Sequence, residues 1–308
     1  MDRRGGVLAI ILFVGCGNGP EASSSFDLNA LRWISDDADA VAALTSVPAG
    51  CLQIPTEAKA QQTVLLGETL FRSPALLGGQ AARAGLSCEA CHRNGRDNPD
   101  FFFPGVSSSP GDADLTMGFF SPDREDGVFN PTPISDLADD GGTRLVDRTD
   151  LNGVKRFLNA QMIEEFDAPA PPEPALHALA SYLRAIDPKA CDNQTRQLSW
   201  RDDFADVERA VDVAEVALRK NDFKSHELYI ETARAALGRL YERQTGQGVR
   251  DLLAEASLEL ADAALDQSRL ADWRSDLDRL RATLGMTQKG TLYDPETLAA
   301  ALNTVSAQ

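Results

Sequence analysis

The run Cys88-Glu89-Ala90-Cys91-His92 constrains this chain more than any other stretch of its sequence. Two cysteines three positions apart fit on one helical turn, where each thiol can add to a vinyl group of a haem. The imidazole that follows can then reach the iron as its proximal ligand. No second run of this form occurs in the 308 residues. The motif therefore predicts one covalently attached c-type haem, held by Cys88 and Cys91 with His92 on the iron.

Two other kinds of site also use closely spaced cysteines. A thiol–disulfide site at a helix start follows a buried β-strand, whereas residues 81–86 are rich in Ala and Gly and lack the pattern of such a strand. A structural zinc site requires a second ligand pair of similar spacing, and the sequence contains none. Haem attachment is thus favoured over both.

The distal side of the iron has three candidate states. Met117 lies in a loop, from which its thioether can reach over the haem, and it is the first candidate. Met162 lies on the apolar stripe of a predicted helix, where core packing is the more common role. An open distal side is the third, because His177 is predicted to lie on a helix surface and His226 in the C-terminal helical region. A Met ligand suits electron transfer, whereas an open site admits peroxide or a diatomic gas.

The N-terminus resembles a bacterial lipoprotein signal peptide, assigned to residues 1–15. Two arginines precede an apolar run at residues 7–14, which is too short to span a bilayer, and Gly15 precedes Cys16. The resemblance implies that Cys16 is lipidated and that the protein faces the periplasm, with the outer membrane the favoured site of anchoring. A plain secretory signal is the alternative.

Two cysteines remain after these assignments, Cys51 and Cys191. An even number of unassigned cysteines in an oxidising compartment predicts a disulfide between them. Such a bridge would close a very long loop, worth on the order of 4–5 kcal/mol in the chain-entropy model. The alternative is two unpaired thiols near the edges of the haem region.

Acidic residues outnumber basic ones, which gives a formal net charge of -17. Residues 1–194 carry 15 Lys and Arg against 27 Asp and Glu, and the remainder carries 15 against 20. This balance argues against nucleic acid as a partner and predicts attraction of a basic redox partner to the haem region. A surface that is acidic only for solubility is the alternative.

Residues 93–148 show little periodicity and are rich in Gly, Pro, Ser and Asp. A long irregular segment in a compact domain usually packs around something, and a haem would serve. Six phenylalanines are candidates to cover the porphyrin, although ordinary core packing also explains some of them: Phe101, Phe102, Phe103, Phe119, Phe120 and Phe129.

Three segments give the haem region a family resemblance. Leu66-Gly67-Glu68-Thr69-Leu70-Phe71 precedes the motif, Asn130-Pro131-Thr132-Pro133 follows it, and residues 178–185 read as a final helix. Together with the motif, these segments resemble the haem domain of the bacterial di-haem cytochrome c peroxidase and MauG group, over about residues 56–188. The resemblance implies a cytochrome c-like fold. Peroxidases of this group use two haems, so their activity does not carry over to a chain with one motif.

The resemblance also raises calcium as a second ligand, because related di-haem proteins hold it between their haem domains. The loop after the motif contains Asp123, Glu125, Asp126 and Asp136. These residues lack the regular spacing of a calcium-binding loop, so a solvated acidic loop is favoured over a calcium site.

Helix signals define the rest of the chain. Thr56 is predicted to cap a helix that runs to Phe71, and Asp150 one that runs to Phe166. Residues 198–308 predict about four or five further helices with short connections and hence antiparallel packing. Apolar residues at helical spacing predict the buried face of each, among them Phe204, Val207, Ala210, Val211, Ala214 and Leu218 on one helix, Leu252, Leu253, Ala256, Leu258, Leu260 and Leu265 on another, and Trp273, Leu277, Leu280 and Leu284 on a third. Asp294-Pro295 marks the start of the last one. No catalytic constellation occurs among these helices, which leaves a partner-docking module or a structural extension.

The predicted fold class is all-α, with a cytochrome c-like haem domain followed by an antiparallel helical bundle. The predicted divisions are the signal at residues 1–15, a tether with short helices at 16–50, the haem domain at 51–194 and the helical domain at 195–308. The predicted function is that of a monohaem c-type cytochrome passing single electrons between partners. The alternatives are a peroxidase-like enzyme that borrows a second haem from a partner, and a haem sensor or partner-binding module.

Overall fold

The structure, a computed structural model, describes residues 28–139, 146–192, 194–285 and 288–306. Helix makes up 59% and strand 6%, which confirms the predicted all-α class. The α-helices described are α1 (Ala40–Thr45), α2 (Ala58–Phe71), α3 (Gly79–Arg83), α4 (Cys88–Cys91), α5 (Leu151–Ala160), α6 (Glu173–Ala185), α7 (Trp200–Arg219), α8 (Phe223–Glu242), α9 (Gln247–Ala263), α10 (Gln267–Leu284) and α11 (Pro295–Ser306).

Two short antiparallel strand pairs accompany the helices in the described residues. Strand β1 (Ser46–Pro48) pairs with β4 (Thr195–Gln197), and β2 (Asp112–Ala113) pairs with β3 (Thr132–Pro133). The first pair joins the segment before α2 to the segment that leads into α7. The second pair lies within the segment at residues 93–148. The described part of that segment is otherwise largely irregular, as predicted.

Carboxylate side chains cap the two helices whose starts were predicted at Thr56 and Asp150. The Glu57 carboxylate accepts hydrogen bonds from the backbone N–H groups of Lys59 and Ala60. The prediction that Thr56 caps this helix is therefore wrong, because the longer Glu57 side chain supplies both acceptor oxygens. Asp150 caps α5 as predicted, by accepting from the Asn152 N–H. A π-helical turn, Gln161–Glu165, continues α5 to the predicted end near Phe166.

The C-terminal helices α7 to α10 pack consecutively, and α10 also contacts α7. The connections between them are only a few residues long, which makes neighbouring helices antiparallel. The predicted buried faces are confirmed for α7 and α10. The buried residues of the predicted face on α7 are Phe204, Val207, Ala210, Val211, Ala214 and Leu218. Those on α10 are Trp273, Leu277, Leu280 and Leu284. Helix α11 begins at Pro295, as predicted, with Asp294 accepting from the Thr297 N–H.

One predicted face is partly wrong. On α9, Leu253 and Leu260 are buried, but Leu258 is 65% exposed. Leu265, which is 79% exposed, lies beyond the end of α9 at Ala263. At 100° per residue, Leu258 lies about 150° around the helix from the buried pair. The predicted apolar residues therefore do not form one face, and α9 packs on α8 and α10 through the buried ones.

A single main core runs through both halves of the chain. It includes Val64 of α2 and Tyr182 of α6 together with Phe204 and Val207 of α7. Helix α2 packs against both α6 and α7. The main core thus crosses the boundary at residue 194 that the sequence suggested.

A buried charge network reinforces this contact. Asp206 of α7 is 0% exposed. Its carboxylate accepts from the Thr69 hydroxyl at 2.7 Å and from the guanidinium groups of Arg209 and Arg239, both at 2.8 Å. Arg72 lies 3.4 Å from the same carboxylate. Burial raises the pKa of Asp206, but the charges of Arg72, Arg239 and Arg209 outweigh that effect and hold it below its usual value.

Candidate functional site

The motif forms a single helical turn. Helix α4 starts after Ser87 and ends at His92, whose N–H donates to the Cys88 carbonyl at 2.8 Å. The i, i+3 spacing places Cys88 and Cys91 on the same side of the turn. Both side chains are half-buried, and neither cysteine forms a disulfide. The geometry therefore presents two thiols side by side, as double thioether attachment requires.

The imidazole of His92 is held in one tautomer. Its Nδ1 lies 3.0 Å from the backbone carbonyl oxygen of Ser135. A carbonyl only accepts, so the hydrogen bond requires the proton on Nδ1 and leaves the Nε2 lone pair available. Desolvation on burial lowers the pKa of His92 to about 4. The imidazole is thus neutral and oriented, the state in which histidine ligates a metal.

Hydrogen bonds from two asparagines after the motif hold the C-terminal end of its helix in place. Asn94 adopts a left-handed conformation with φ 53°, and its N–H donates to the Glu89 carboxylate at 2.9 Å. The Asn94 side chain donates to the Pro48 carbonyl at 2.9 Å, and that of Asn98 to the Ala90 carbonyl at 2.7 Å. The sequence interpretation missed both asparagines. The signal available for Asn94 was an Asn-Gly pair that begins two residues after His92, which favours a left-handed turn.

Burial raises the pKa of the Cys88 and Cys91 thiols to about 12. A dithiol redox site has the opposite property, because it depends on a lowered thiol pKa to supply the thiolate nucleophile. The environment of these cysteines does not match a thiol–disulfide oxidoreductase.

A second apolar cluster, here called the motif cluster, surrounds the two thiols. Its buried members are Trp33, Leu77, Ala81, Leu86, Phe101, Val106, Ala113 and Phe120. Cys88, Cys91 and Met117 pack against it as half-buried members, together with Phe103 and Phe119. The structure therefore brings four of the six predicted phenylalanines to the motif. Phe129 is 53% exposed, and Phe102 is half-buried outside the cluster.

The candidates for a distal ligand separate in the fold. Met117 packs in the same cluster as Cys88 and Cys91. Met162 is 3% exposed and belongs to the main core. His226 is buried on α8, with Nδ1 2.9 Å from the Ala214 carbonyl oxygen, and His177 is half-buried on α6. Met117 therefore lies in the cluster that includes both cysteines, whereas Met162 lies in the main core, which Cys88 but not Cys91 borders.

The predictions for the three cysteines outside the motif differ in how far the structure tests them. A disulfide joins Cys51 and Cys191 across a sequence separation of 140 residues, as predicted. It ties the segment before α2 to the segment after α6, so the chain around the motif is closed into one covalent loop. Cys16, the predicted lipidation site, lies outside the described residues, as does the predicted signal peptide at residues 1–15.

The acidic loop contains no metal cluster. Among the described residues, no group of three or more His, Cys, Asp or Glu side chains could hold a metal ion. Asp136 instead pairs with Arg96 at 2.7 Å, and Asp126 accepts from the Val128 N–H at 2.8 Å. A haem iron does not require such a group, because the porphyrin supplies four of its ligands and the protein only one or two.

Within the described residues, no helix combines the length and the apolar character needed to cross a bilayer.

Comparisons with known proteins give no match. No family model matches this chain, and neither the curated proteins nor the solved structures contain a significant match. The site is therefore interpreted from its own geometry.

Proposed function

We propose that this protein is a monohaem c-type cytochrome that carries single electrons between protein partners. The observation that supports the proposal best is the His92 Nδ1 contact with the Ser135 carbonyl oxygen at 3.0 Å. It leaves Nε2 free directly after a helical turn that presents two half-buried thiols. Orientation of a ligating histidine through its second nitrogen is a general feature of metal sites in proteins.

Each residue has a distinct role in this proposal. When bound, the haem supplies a one-electron iron couple. Cys88 and Cys91 would hold the porphyrin through thioether bonds, and His92 would ligate the iron through Nε2. The Ser135 carbonyl keeps the imidazole oriented and its lone pair on Nε2. The apolar side chains of the motif cluster limit access of water, which favours a higher reduction potential.

Met117 would be the second protein ligand of the iron. Its membership of the motif cluster supports this choice over Met162, which packs in the main core. A thioether ligand would close the iron to peroxide and raise the reduction potential, which suits electron transfer more than peroxide cleavage. The chain also has one haem motif, whereas the peroxidases that it resembles use two haems.

The acidic surface supports a basic redox partner. The formal net charge of -17 would accelerate association with a positively charged protein, and the acceleration would fall as salt screens the charges.

The test is expression of the full chain in a bacterium with an active c-type cytochrome maturation system. We expect haem that stays with the polypeptide after denaturation, and an absorption spectrum of the reduced protein typical of c-type haem. The Cys88→Ala/Cys91→Ala double variant should lose covalent haem, whereas Met162→Leu should retain it. Haem-free wild-type protein under these conditions would refute the proposal.

A second measurement separates electron transfer from catalysis. Stopped-flow mixing of the reduced protein with a basic cytochrome should give rapid electron transfer that slows with added salt. Sustained turnover of hydrogen peroxide with a high-spin ferric spectrum would instead support the peroxidase-like alternative.

The proposed location rests on the sequence of residues 1–16. We propose that the chain is exported and lipidated on Cys16. Wild-type protein should require detergent for extraction from the membrane fraction, and Cys16→Ser should release it into the soluble periplasmic fraction. Detergent-free release of the wild type would contradict the anchor.

A further inference from the structure

A cavity lies beside the motif helix. Its volume is about 390 Å³, and Ser87, Glu89 and Ala90 form part of its wall. The rest of the wall comes from the segment before α2, from residues 72–74, 94–98 and 196–203, and from α8. Trp33 and Ala90 also pack in the motif cluster, so the cavity borders the proposed haem site, but Cys88, Cys91, His92 and Met117 do not line it.

The cavity is more basic than the protein around it. Five arginines and four carboxylates line it, in a chain whose formal net charge is -17. Each of the four carboxylates already accepts a hydrogen bond: Glu89 from the Asn94 N–H, Glu242 from the Asn29 N–H, Asp202 from Arg196, and Asp203 from Arg239. Among the arginines, Arg72, Arg196 and Arg239 have carboxylate partners.

The other two lining arginines, Arg93 and Arg243, lack carboxylate ion pairs within the described part of the chain. Arg93 donates from one nitrogen to the carbonyls of Ala43 and Ser46, both at 2.6 Å. Arg243 is buried and donates from one nitrogen to the Leu292 carbonyl at 3.1 Å. Each guanidinium has further N–H donors, because arginine carries five in a fixed planar arrangement.

These two guanidinium groups come from different parts of the fold and line the same cavity. Arg93 follows His92 directly, and Arg243 follows α8. Both carry a positive charge, so an anion that contacts both would offset their mutual repulsion.

The remainder of the cavity is suited to an apolar group. Its apolar lining comes from the N-terminal segment: Leu28, Trp33, Ile34, Leu44 and Val47. On α8, Gly238 lines the same space, and a Cβ added there would meet no atom within 4 Å. Glycine inside a helix costs about 1 kcal/mol relative to alanine. No packing contact requires that glycine, and its missing side chain leaves cavity volume open.

We propose that this cavity binds an organic carboxylate with an apolar body, whose carboxylate contacts Arg93 and Arg243 and whose body lies against the apolar wall. Its volume lies in the range of pockets for small ligands. The charge-assisted contacts supply orientation, and the apolar wall supplies burial. None of the residues proposed to hold the haem lines the cavity, so the carboxylate and the haem would be held by different side chains.

The test is calorimetric titration of the full chain with octanoate and with 2-naphthoate, and with octanol as the uncharged control. We expect saturable binding of at least one carboxylate at one site per chain, and at least tenfold weaker binding of octanol. Arg243→Gln should weaken carboxylate binding at least tenfold. Arg279→Gln, the matched charge change on the exposed side of α10, should leave it unchanged.

A steric variant tests the location without changing charge. Gly238→Leu should abolish binding, while Gly238→Ala, which adds only a Cβ, should bind like the wild type. Both should melt at or above the wild-type temperature, because both improve helix propensity. Absence of saturable binding by either carboxylate, or equal binding by the leucine and alanine variants, would overturn the proposal. If the leucine variant does not fold, the comparison of Arg243→Gln with Arg279→Gln decides the matter.

Discussion

The Thr69 hydroxyl donates to the Asp206 carboxylate over 2.7 Å, and this contact joins the helix before the motif to the first long helix of the C-terminal half. Asp206 is buried, and Arg72, Arg209 and Arg239 surround it. Removal of its charge would leave three guanidinium groups without their shared partner. We expect Asp206→Asn to lower the free energy of unfolding by about 3–5 kcal/mol at pH 7, measured by urea denaturation. Asp276→Asn, at an exposed ion pair on α10, should change it by less than about 1 kcal/mol.

The same residue predicts a pH dependence. The folded-state pKa of Asp206 is lower than that of an unfolded aspartate, about 3.9. The stability it contributes is therefore complete above about pH 4 and is lost as the pH falls through the folded-state pKa. The difference in unfolding free energy between wild type and Asp206→Asn should shrink from pH 7 to pH 3. A difference that stays constant over this range would contradict the linkage.

Met117 and Met162 give opposite expectations for the iron. If Met117 is the distal ligand, Met117→Ala should convert the low-spin ferric spectrum to a high-spin one and lower the reduction potential. Met162→Leu should leave both unchanged, because Met162 packs in the main core. Electron paramagnetic resonance and potentiometric titration measure the two properties. A low-spin spectrum that persists in Met117→Ala would remove that residue as a ligand.

The disulfide between Cys51 and Cys191 should contribute to stability without affecting the haem. It closes a loop across 140 residues. We expect the Cys51→Ser/Cys191→Ser double variant to lose about 2–5 kcal/mol of unfolding free energy. Covalent haem content, measured by mass spectrometry of the folded fraction, should equal that of the wild type. Loss of haem from correctly folded variant protein would mean that the bridge also shapes the motif.

Helix α9 offers a test of which of its leucines are buried. Leu260 is 0% exposed, whereas Leu258 is 65% exposed. Leu260→Ala should cost about 2–5 kcal/mol through the cavity it creates. Leu258→Ala, the same change two residues away, should alter stability by less than about 0.5 kcal/mol. Thermal and urea unfolding compare the two directly, and similar losses would mean that α9 is rotated relative to the structure.

Helix positions and most buried faces were predictable from local patterns. The starts at Asp150 and Asp294 follow from capping chemistry, and the buried faces of α7 and α10 follow from single stripes of apolar residues. On α9 the apolar residues do not all lie on one side of the helix, and only the tertiary contacts with α8 and α10 decide which of them are buried. The cap of α2 was misassigned because two adjacent residues, Thr56 and Glu57, both carry acceptor oxygens.

The candidate site was predictable to the extent that it is local in sequence. Cys88, Cys91 and His92 are close in sequence, so their spacing alone predicts a haem-attachment site. The partner of His92 is a backbone carbonyl 43 residues away, and no side-chain pattern marks it. That Arg93 and Arg243 line one cavity likewise depends on a fold that brings the motif to α8. Such long-range pairs require the tertiary structure.

The shared main core has a consequence for how the protein can respond to a partner. Val64 of α2 and Val207 of α7 belong to one cluster, and the Asp206 network lies at the same contact. A partner that binds α7 or α8 would therefore act on α2, the helix that precedes the motif, through close-packed side chains, which resist compression. We expect the C-terminal helices and the residues around the motif to respond to such a partner as one rigid unit.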